Sequence, residues 1–209
     1  IVGQKNVTCN GLNNGEITIS ATNFDTTTGY QYSLDNGTTW STALTTSPYT
    51  ITGLAPNTYT VAIRPVGSTV TACTKTFPPI TTTQPAPIVV TATASPATCS
   101  TGAKITTTAT GGTPAYQYKL HQVIAGVEAA TPVVAFNNNP EFNDIDPGDY
   151  RIYVSDANGC ATTVGFPITV TAPPALTAAL ATTDYCYTTA NPATLDVTVT
   201  SGVGPYTYK

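Results

Sequence analysis

Five cysteines fall in two interleaved series that share one period. Cys9, Cys99 and Cys186 are 90 and 87 residues apart, and Cys73 and Cys160 are 87 apart. A common spacing of that size means a repeated unit, each copy carrying an early and a late cysteine. No two cysteines form C-x-x-C, which excludes a zinc ribbon or a thioredoxin-type motif. The spacing predicts bridges Cys9–Cys73 and Cys99–Cys160, with Cys186 as the early cysteine of a third unit whose partner lies outside the chain. Each bridge would close a loop of more than 60 residues, worth ~4 kcal/mol in the chain-entropy model. Bridged cysteines imply export to an oxidising compartment. Buried reduced thiols in a cytosolic protein are the alternative.

The repeated unit has to be built from strands. Threonine supplies 45 of the 209 residues, while charged residues supply 9%, against about 25% in an ordinary soluble domain. Thr, Val, Ile and Tyr suit a pleated surface because their branched or flat side chains pack against it. With 16 Gly and 17 Pro as punctuation, the expected class is all-β. Seven Lys and Arg, unclustered, are too few to displace counterions from nucleic acid. No apolar run is long enough for a transmembrane segment, and no Glu/Lys-rich stretch supports a coiled coil. The chain opens without Met or a charged-then-apolar leader, so a processed chain or an excised fragment is expected.

Aligned on their early cysteines, the units share an order of signals. Asn10-Gly11 and Asn14-Gly15 precede Ile17, Ile19 and Ala21, which alternate with polar neighbours as in a half-buried strand. The counterparts are Ala103 to Ala109 and Leu195 to Val199. A turn then leads into a tyrosine pair: Tyr30 and Tyr32, Tyr116 and Tyr118, Tyr206 and Tyr208. A spacing of two puts both rings on one strand face, continued by Leu34 and Leu120. Asp35-Asn36-Gly37 reads as a hairpin turn, since Asn-Gly accepts positive φ. Leu54-Ala55-Pro56-Asn57 and Ile145-Asp146-Pro147-Gly148 then turn into strands with Tyr59, Val61, Ile63 and Tyr150, Ile152, Val154 inward. A Tyr beside such a turn is the composition of a tyrosine corner, in which the hydroxyl bonds nearby backbone. Asp156-Ala157-Asn158-Gly159-Cys160 turns into a last strand with Phe166, Ile168 and Val170 inward, whereas the first unit has the longer Pro65 to Cys73 there. Gln84-Pro85-Ala86-Pro87 and Ala172-Pro173-Pro174 read as short, stiffened linkers without the carboxylates that calcium-rigidified junctions need. The expected organisation is tandem immunoglobulin-like β-sandwich repeats: one over 1–86, one over 87–174, and the first part of a third over 175–209. That last piece lacks the strands that would cover its apolar face, so it is not expected to be stable alone.

The order C-N-G-x-x-x-G-x-I, G-x-x-P-x-Y-x-Y, L-x-P-G-x-Y-x-V and D-A-N-G-C resembles the SprB repeat. The second unit carries it best, through Cys99, Gly112 to Tyr118, Pro147 to Tyr150 and Asp156 to Cys160. The first keeps the cysteines, Asn10-Gly11, the tyrosine pair and Leu54 to Tyr59 but lacks D-A-N-G-C. The resemblance implies a segment of a long secreted surface adhesin of gliding bacteria, exported by the type IX secretion system. Its expected partners are an extracellular polysaccharide or surface, and the secretion and gliding machinery through the parent protein. The alternative is a carbohydrate-binding or spacer module of a large secreted hydrolase.

No catalytic constellation stands out, and no enzyme activity, cofactor or bound metal is expected. Ile1-Val2-Gly3 resembles the cleaved start of a trypsin-like protease, but no Ser nucleophile motif accompanies the single histidine, His121, which reads as a solvated or edge residue. Glu141, Asp144, Asp146 and Asp149, with Asn137 to Asn139 and Asn143, supply oxygens that calcium could use; an acidic solvated loop is the other reading. Trp40 is the candidate for a weak glycan contact, since aromatic faces stack on sugar rings; the alternative is a Trp that covers the sandwich edge. Asp25-Thr26-Thr27 matches a short O-glycosylation signal of the same bacterial group.

Overall fold

The computed structural model describes residues 1–98, 101–165, 167–180, 197–202 and 204–207. The chain is nearly all β; the one helical element among the described residues is a 3-10 turn at Thr71–Cys73. Among those residues no helix is long and apolar enough to cross a membrane. Contacts divide the chain into two compact units. Unit 1 is Ile1–Val89 with Thr110–Ala115 and Asp156–Cys160; unit 2 is Val90–Ala109, Tyr116–Ser155 and Ala161–Lys209.

The first strands are β1 (Gly3–Lys5), β2 (Gly15–Ile19), β3 (Tyr30–Ser33), β4 (Tyr49–Leu54), β5 (Asn57–Tyr59), β6 (Ala62–Pro65), β7 (Lys75–Thr76) and β8 (Ile80–Thr82). They form sheets β1-β2-β4 and β3-β6-β7, and β5 pairs with β8. Alternation in β2 turns Gly15, Ile17 and Ile19 inward. Ile17, Ile19, Ile51 and Leu54 from one sheet meet Tyr30 from the other, with Val61, in one core. Burying each such aliphatic side chain is worth about 1.5–3 kcal/mol, so this inward set holds the two sheets of a β-sandwich together.

Next come β9 (Val89–Ser95), β10 (Ala103–Thr110), β11 (Gln117–Ile124), β12 (Val127–Glu128), β13 (Val134–Asn137), β14 (Glu141–Ile145), β15 (Gly148–Ser155), β16 (Ala161–Thr163) and β17 (Ile168–Val170). One sheet runs β14-β10-β9. The other runs β12-β11-β15-β16, with β13 also on β11 and β17 also on β15. Ala103, Ile105, Tyr118, Leu120, Phe142, Ile145, Tyr150, Ile152 and Val154 are all buried.

The same irregularities occur in both places. β2 and β4 shift register between Gly15 opposite Leu54 and Ile17 opposite Ile51. β10 and β14 shift at the matching place, between Ala103 opposite Ile145 and Ile105 opposite Phe142. The extra residue lies before Leu54 in one case and before Ile145 in the other, next to Gly53 (φ 75°) and Asp144 (φ 55°). A bulge of this kind asks for positive φ, which Gly adopts freely and Asp tolerates. The tyrosine corners also match: Tyr59 donates its hydroxyl to the Ala55 carbonyl at 2.9 Å, and Tyr150 to that of Asp146 at 2.8 Å. Each reaches back four residues and satisfies a carbonyl in the turn that feeds its own strand.

Beyond Pro174, β18 (Ala178–Leu180) pairs antiparallel with β19 (Val197–Val199). Leu176, Val197 and Tyr206 are exposed. Leu195, expected in this strand, and Tyr208 lie outside the described residues, as does Phe166; Val170 is buried.

Candidate functional site

The hairpin turn after β3 has the positive φ its Asn-Gly predicts, 57° at Asn36 and 87° at Gly37. Asp35 organises it. Its Oδ1 accepts from Ser33 Oγ at 2.6 Å and from the Thr39 amide at 2.8 Å, and its Oδ2 from Thr39 Oγ1 at 2.7 Å. The Ser33 hydroxyl, then the Thr39 amide and hydroxyl, hold the Asp35 carboxyl down at about 2. A folded value below the ordinary 3.8 means that ionised Asp35 steadies the turn above about pH 4. That contribution is lost as pH falls through about 2. NMR titration of the side-chain carboxyl is expected to give a midpoint near 2; a midpoint at the ordinary value would show that the three bonds do not form in solution.

This turn delivers Trp40. The ring is half-buried, and the Arg64 guanidinium stacks over it with Cζ 4.0 Å from the centroid. Arg64 Nε donates to Gln31 Oε1 at 3.2 Å, and Gln31 Nε2 to the Ser41 carbonyl at 2.7 Å. Gln31 and Arg64 are directly opposite in the β3–β6 register, so both stand on the outer face of that sheet. Trp40 therefore packs on Arg64 of that face and also walls an open groove of about 300 Å³. The facing wall is Ser68, Thr69, Thr71, Thr74 and Thr76.

A second organised site gathers three turns of unit 1 around Asp156, which is 5% exposed. Asp156 Oδ1 accepts from the Asn158 and Cys160 amides, both at 2.9 Å, and Oδ2 from the Thr113 amide at 2.8 Å. Gly112, at φ 57°, is required there: an added Cβ would lie 2.7 Å from Asp156 Oδ2 and from Ile88 Cγ1. Asn158 Nδ2 donates to the Thr8 carbonyl at 3.0 Å, while Asn14 brackets Thr8 by accepting from its amide and donating to its hydroxyl. The expected linker is pinned in the same place. Gly112 donates to the Ala86 carbonyl at 2.8 Å, Asn10 Nδ2 to that of Pro85 at 3.1 Å, and the Gly11 amide to Gln84 Oε1 at 2.8 Å.

These turns bring Cys9 to Cys160, not to Cys73. The bridge has a Cα–Cα distance of 5.7 Å and spans 151 residues. The expected Cys9–Cys73 and Cys99–Cys160 pairs are thus both corrected, and Cys73 is an exposed free thiol. Cys99 and Cys186 lie outside the described residues. The reason is strand direction. Gly15 opposes Leu54 at one end of the sandwich, so the loop carrying Cys9 is at that end. Tyr30 opposes Pro65 at the other end, and Cys73 follows Pro65. The five residues of β2 alone span roughly 17 Å, whereas a bridge needs Cα atoms within about 7 Å.

The remaining candidates are dispersed. Glu141 pairs with Lys104 Nζ at 2.6 Å, and Asp149 accepts from Thr169 Oγ1 at 2.7 Å. Asp144 sits at the bulge and Asp146 supplies its carbonyl to Tyr150. No group of three or more His, Cys, Asp or Glu able to hold a metal ion occurs among the described residues. His121 is not a solvated edge residue: it is 6% exposed on β11, which has β15 on one side and β12 and β13 on the other. Its Nδ1 lies 3.0 Å from the Ala129 carbonyl and 3.3 Å from Glu128 Oε1, and Tyr153 packs against the ring. The β12 hairpin, which carries Glu128, covers the face that the sequence left open. Thr26 and Thr27 are exposed, on a turn in which Asp25 Oδ1 accepts from the Thr27 amide at 2.7 Å.

A family model described as SprB repeat matches residues 2–39. That segment holds Cys9, Asn10-Gly11, β2, the first tyrosine pair and the Asp35 turn; Trp40 and the Thr-rich wall lie beyond it. No curated protein matches the chain.

Proposed function

We propose that the chain is a structural and adhesive repeat segment of a long secreted bacterial cell-surface adhesin, serving surface attachment and gliding motility. The repeats are residues 1–86 and 87–174, with the first part of a third at 175–209. The observation that carries this reading is the Cys9–Cys160 bridge, which ties the early cysteine of the first repeat to the late cysteine of the second. A disulfide supports export, and one that closes a 151-residue span within unit 1 limits how far a filament under tension can extend. The SprB-repeat match over 2–39 supports the adhesin assignment. The role is non-catalytic, and the partners are an extracellular polysaccharide or surface and, through the parent protein, the secretion and gliding machinery.

Strand register extends the pairing rule. Lys75 opposes Ile63 and Thr162 opposes Val154, so Cys73 and Cys160 each stand two residues before equivalent positions. In this reading Cys73 pairs with the early cysteine of a preceding repeat, and Cys99 and Cys186 with late cysteines of repeats that follow. The test is non-reducing peptide mapping of the parent protein released from intact cells, with antibody labelling of those cells. Surface labelling and a Cys73 peptide linked to a cysteine outside residues 1–209 are expected. Cys73 linked to Cys99, or a protein reached by antibody only after lysis, overturns the reading.

A further inference from the structure

The Trp40 groove has a chemistry that the repeat motif does not require. Its floor is Arg64, stacked on the Trp40 ring, and its far wall presents hydroxyls. Three of the other described cations have carboxylate partners: Lys5 with Glu16, Lys104 with Glu141 and Arg151 with Glu128. Arg64 has no ion pair among the described residues, and its one side-chain bond is from Nε to Gln31. Stacking and that bond fix the plane of the guanidinium and leave its terminal nitrogens without an acceptor among the described residues. The hydroxyls of Thr69, Thr71, Thr74 and Thr76 likewise have no hydrogen bond among the described residues. The wall exists because the first unit replaces the short D-A-N-G-C turn with the longer Pro65 to Cys73 segment.

Building on the reading of the chain as an adhesin segment, we propose that this groove binds an acidic polysaccharide through its uronate units. The Arg64 fork takes the carboxylate, the half-buried Trp40 supplies an apolar edge to the sugar ring, and Thr71, Thr74 and Thr76 bond ring hydroxyls. Each requirement is distinct. A planar fork matches a carboxylate in two parallel hydrogen bonds, an aromatic side chain packs the C–H face of a sugar, and a hydroxyl can donate or accept as the sugar demands. A neutral glycan would leave the guanidinium desolvated against no anion, and a phosphopeptide would use neither the hydroxyl wall nor the ring.

Trp40 is the sole tryptophan, so intrinsic fluorescence reports directly on the groove. The probe is a tetragalacturonate, compared with its fully methyl-esterified form, which keeps the rings and removes the charge. Saturable quenching by the acid, at least 10-fold weaker binding of the ester, and a similar loss in Arg64→Gln are expected. Thr74→Val/Thr76→Val is expected to weaken the acid several-fold while leaving Arg64 in place. Far-ultraviolet circular dichroism and retention of the Cys9–Cys160 bridge verify folding of each variant. Equal binding of ester and acid, or unchanged binding in Arg64→Gln, overturns the uronate assignment. Absence of binding by either probe overturns the groove as a glycan site; the adhesin reading is tested separately, by surface labelling and the cysteine map.

Discussion

Stretched between its ends, the oxidised chain is expected to stop short by the length held behind one bridge. Cys9 and Cys160 are 151 residues apart, and at about 3.3–3.6 Å per extended residue that hides roughly 50 nm of contour. Force-clamp pulling from Ile1 and Lys209 should therefore show the hidden length only when a thiol reductant is added, or in Cys9→Ser. A hidden length near 20 nm would match the separation of Cys9 from Cys73 instead, and full extension without reductant would mean that no bridge forms. The effect on stability is also large. A closed loop of this size is worth about 5 kcal/mol in the chain-entropy model, so the reduced chain should unfold at markedly lower urea. The consequence is mechanical: the buried residues from Ile17 to Val154 lie between the bridged cysteines and stay shielded while the bridge holds, whereas buried Val7 and Val170 lie outside them.

Much of this architecture could be read from residue order, because turns and alternation are local. Asn36-Gly37 carries its positive φ in its composition, Ile17 and Ile19 alternate with polar neighbours, and Tyr59 and Tyr150 stand at fixed offsets from their turns. Cysteine pairing is not local. The spacing led to the expectation of a repeat with its bridge inside each unit, yet the nearest cysteine in sequence was the wrong partner. A signal was available: counting strand reversals from Gly15 to Pro65 places Cys9 and Cys73 at opposite ends of one sandwich. His121 failed for another reason. Its neighbours are Tyr153 on β15 and the segment Glu128-Ala129, and Glu128 belongs to β12, a two-residue strand that has no alternation to detect. The Trp40 groove needed Arg64 and Gln31 opposite each other and a loop from residue 68 onward beside them; strand register sets the first and the path of the loop the second.

Asp156→Ala is expected to be among the most damaging single substitutions. The carboxylate is buried and accepts three backbone amides, those of Thr113, Asn158 and Cys160. Alanine removes every acceptor at once and leaves these donors in a site tight enough to forbid a Cβ on Gly112. Hydrogen bonds to a charged group are worth about 1.5–3 kcal/mol each, and orphaned buried donors add a penalty. Even allowing for water entering the space, a loss of at least about 3 kcal/mol follows. Asp156→Asn separates geometry from charge. The Asn oxygen can keep the Asn158 and Cys160 amides, but its NH2 then faces the Thr113 amide, donor against donor, so a loss of about 1–2 kcal/mol is expected. Both variants should be measured by urea unfolding with the disulfide reduced, so that the bridge does not mask the difference. A second readout is the yield of the Cys9–Cys160 bridge on reoxidation, because the same carboxylate fixes the amide of Cys160 itself. Alanine should lower that yield and asparagine should largely preserve it. Wild-type stability and full bridging in Asp156→Ala would show that the Cys160 turn is organised by the Asn158 contact with Thr8 and not by the buried carboxylate.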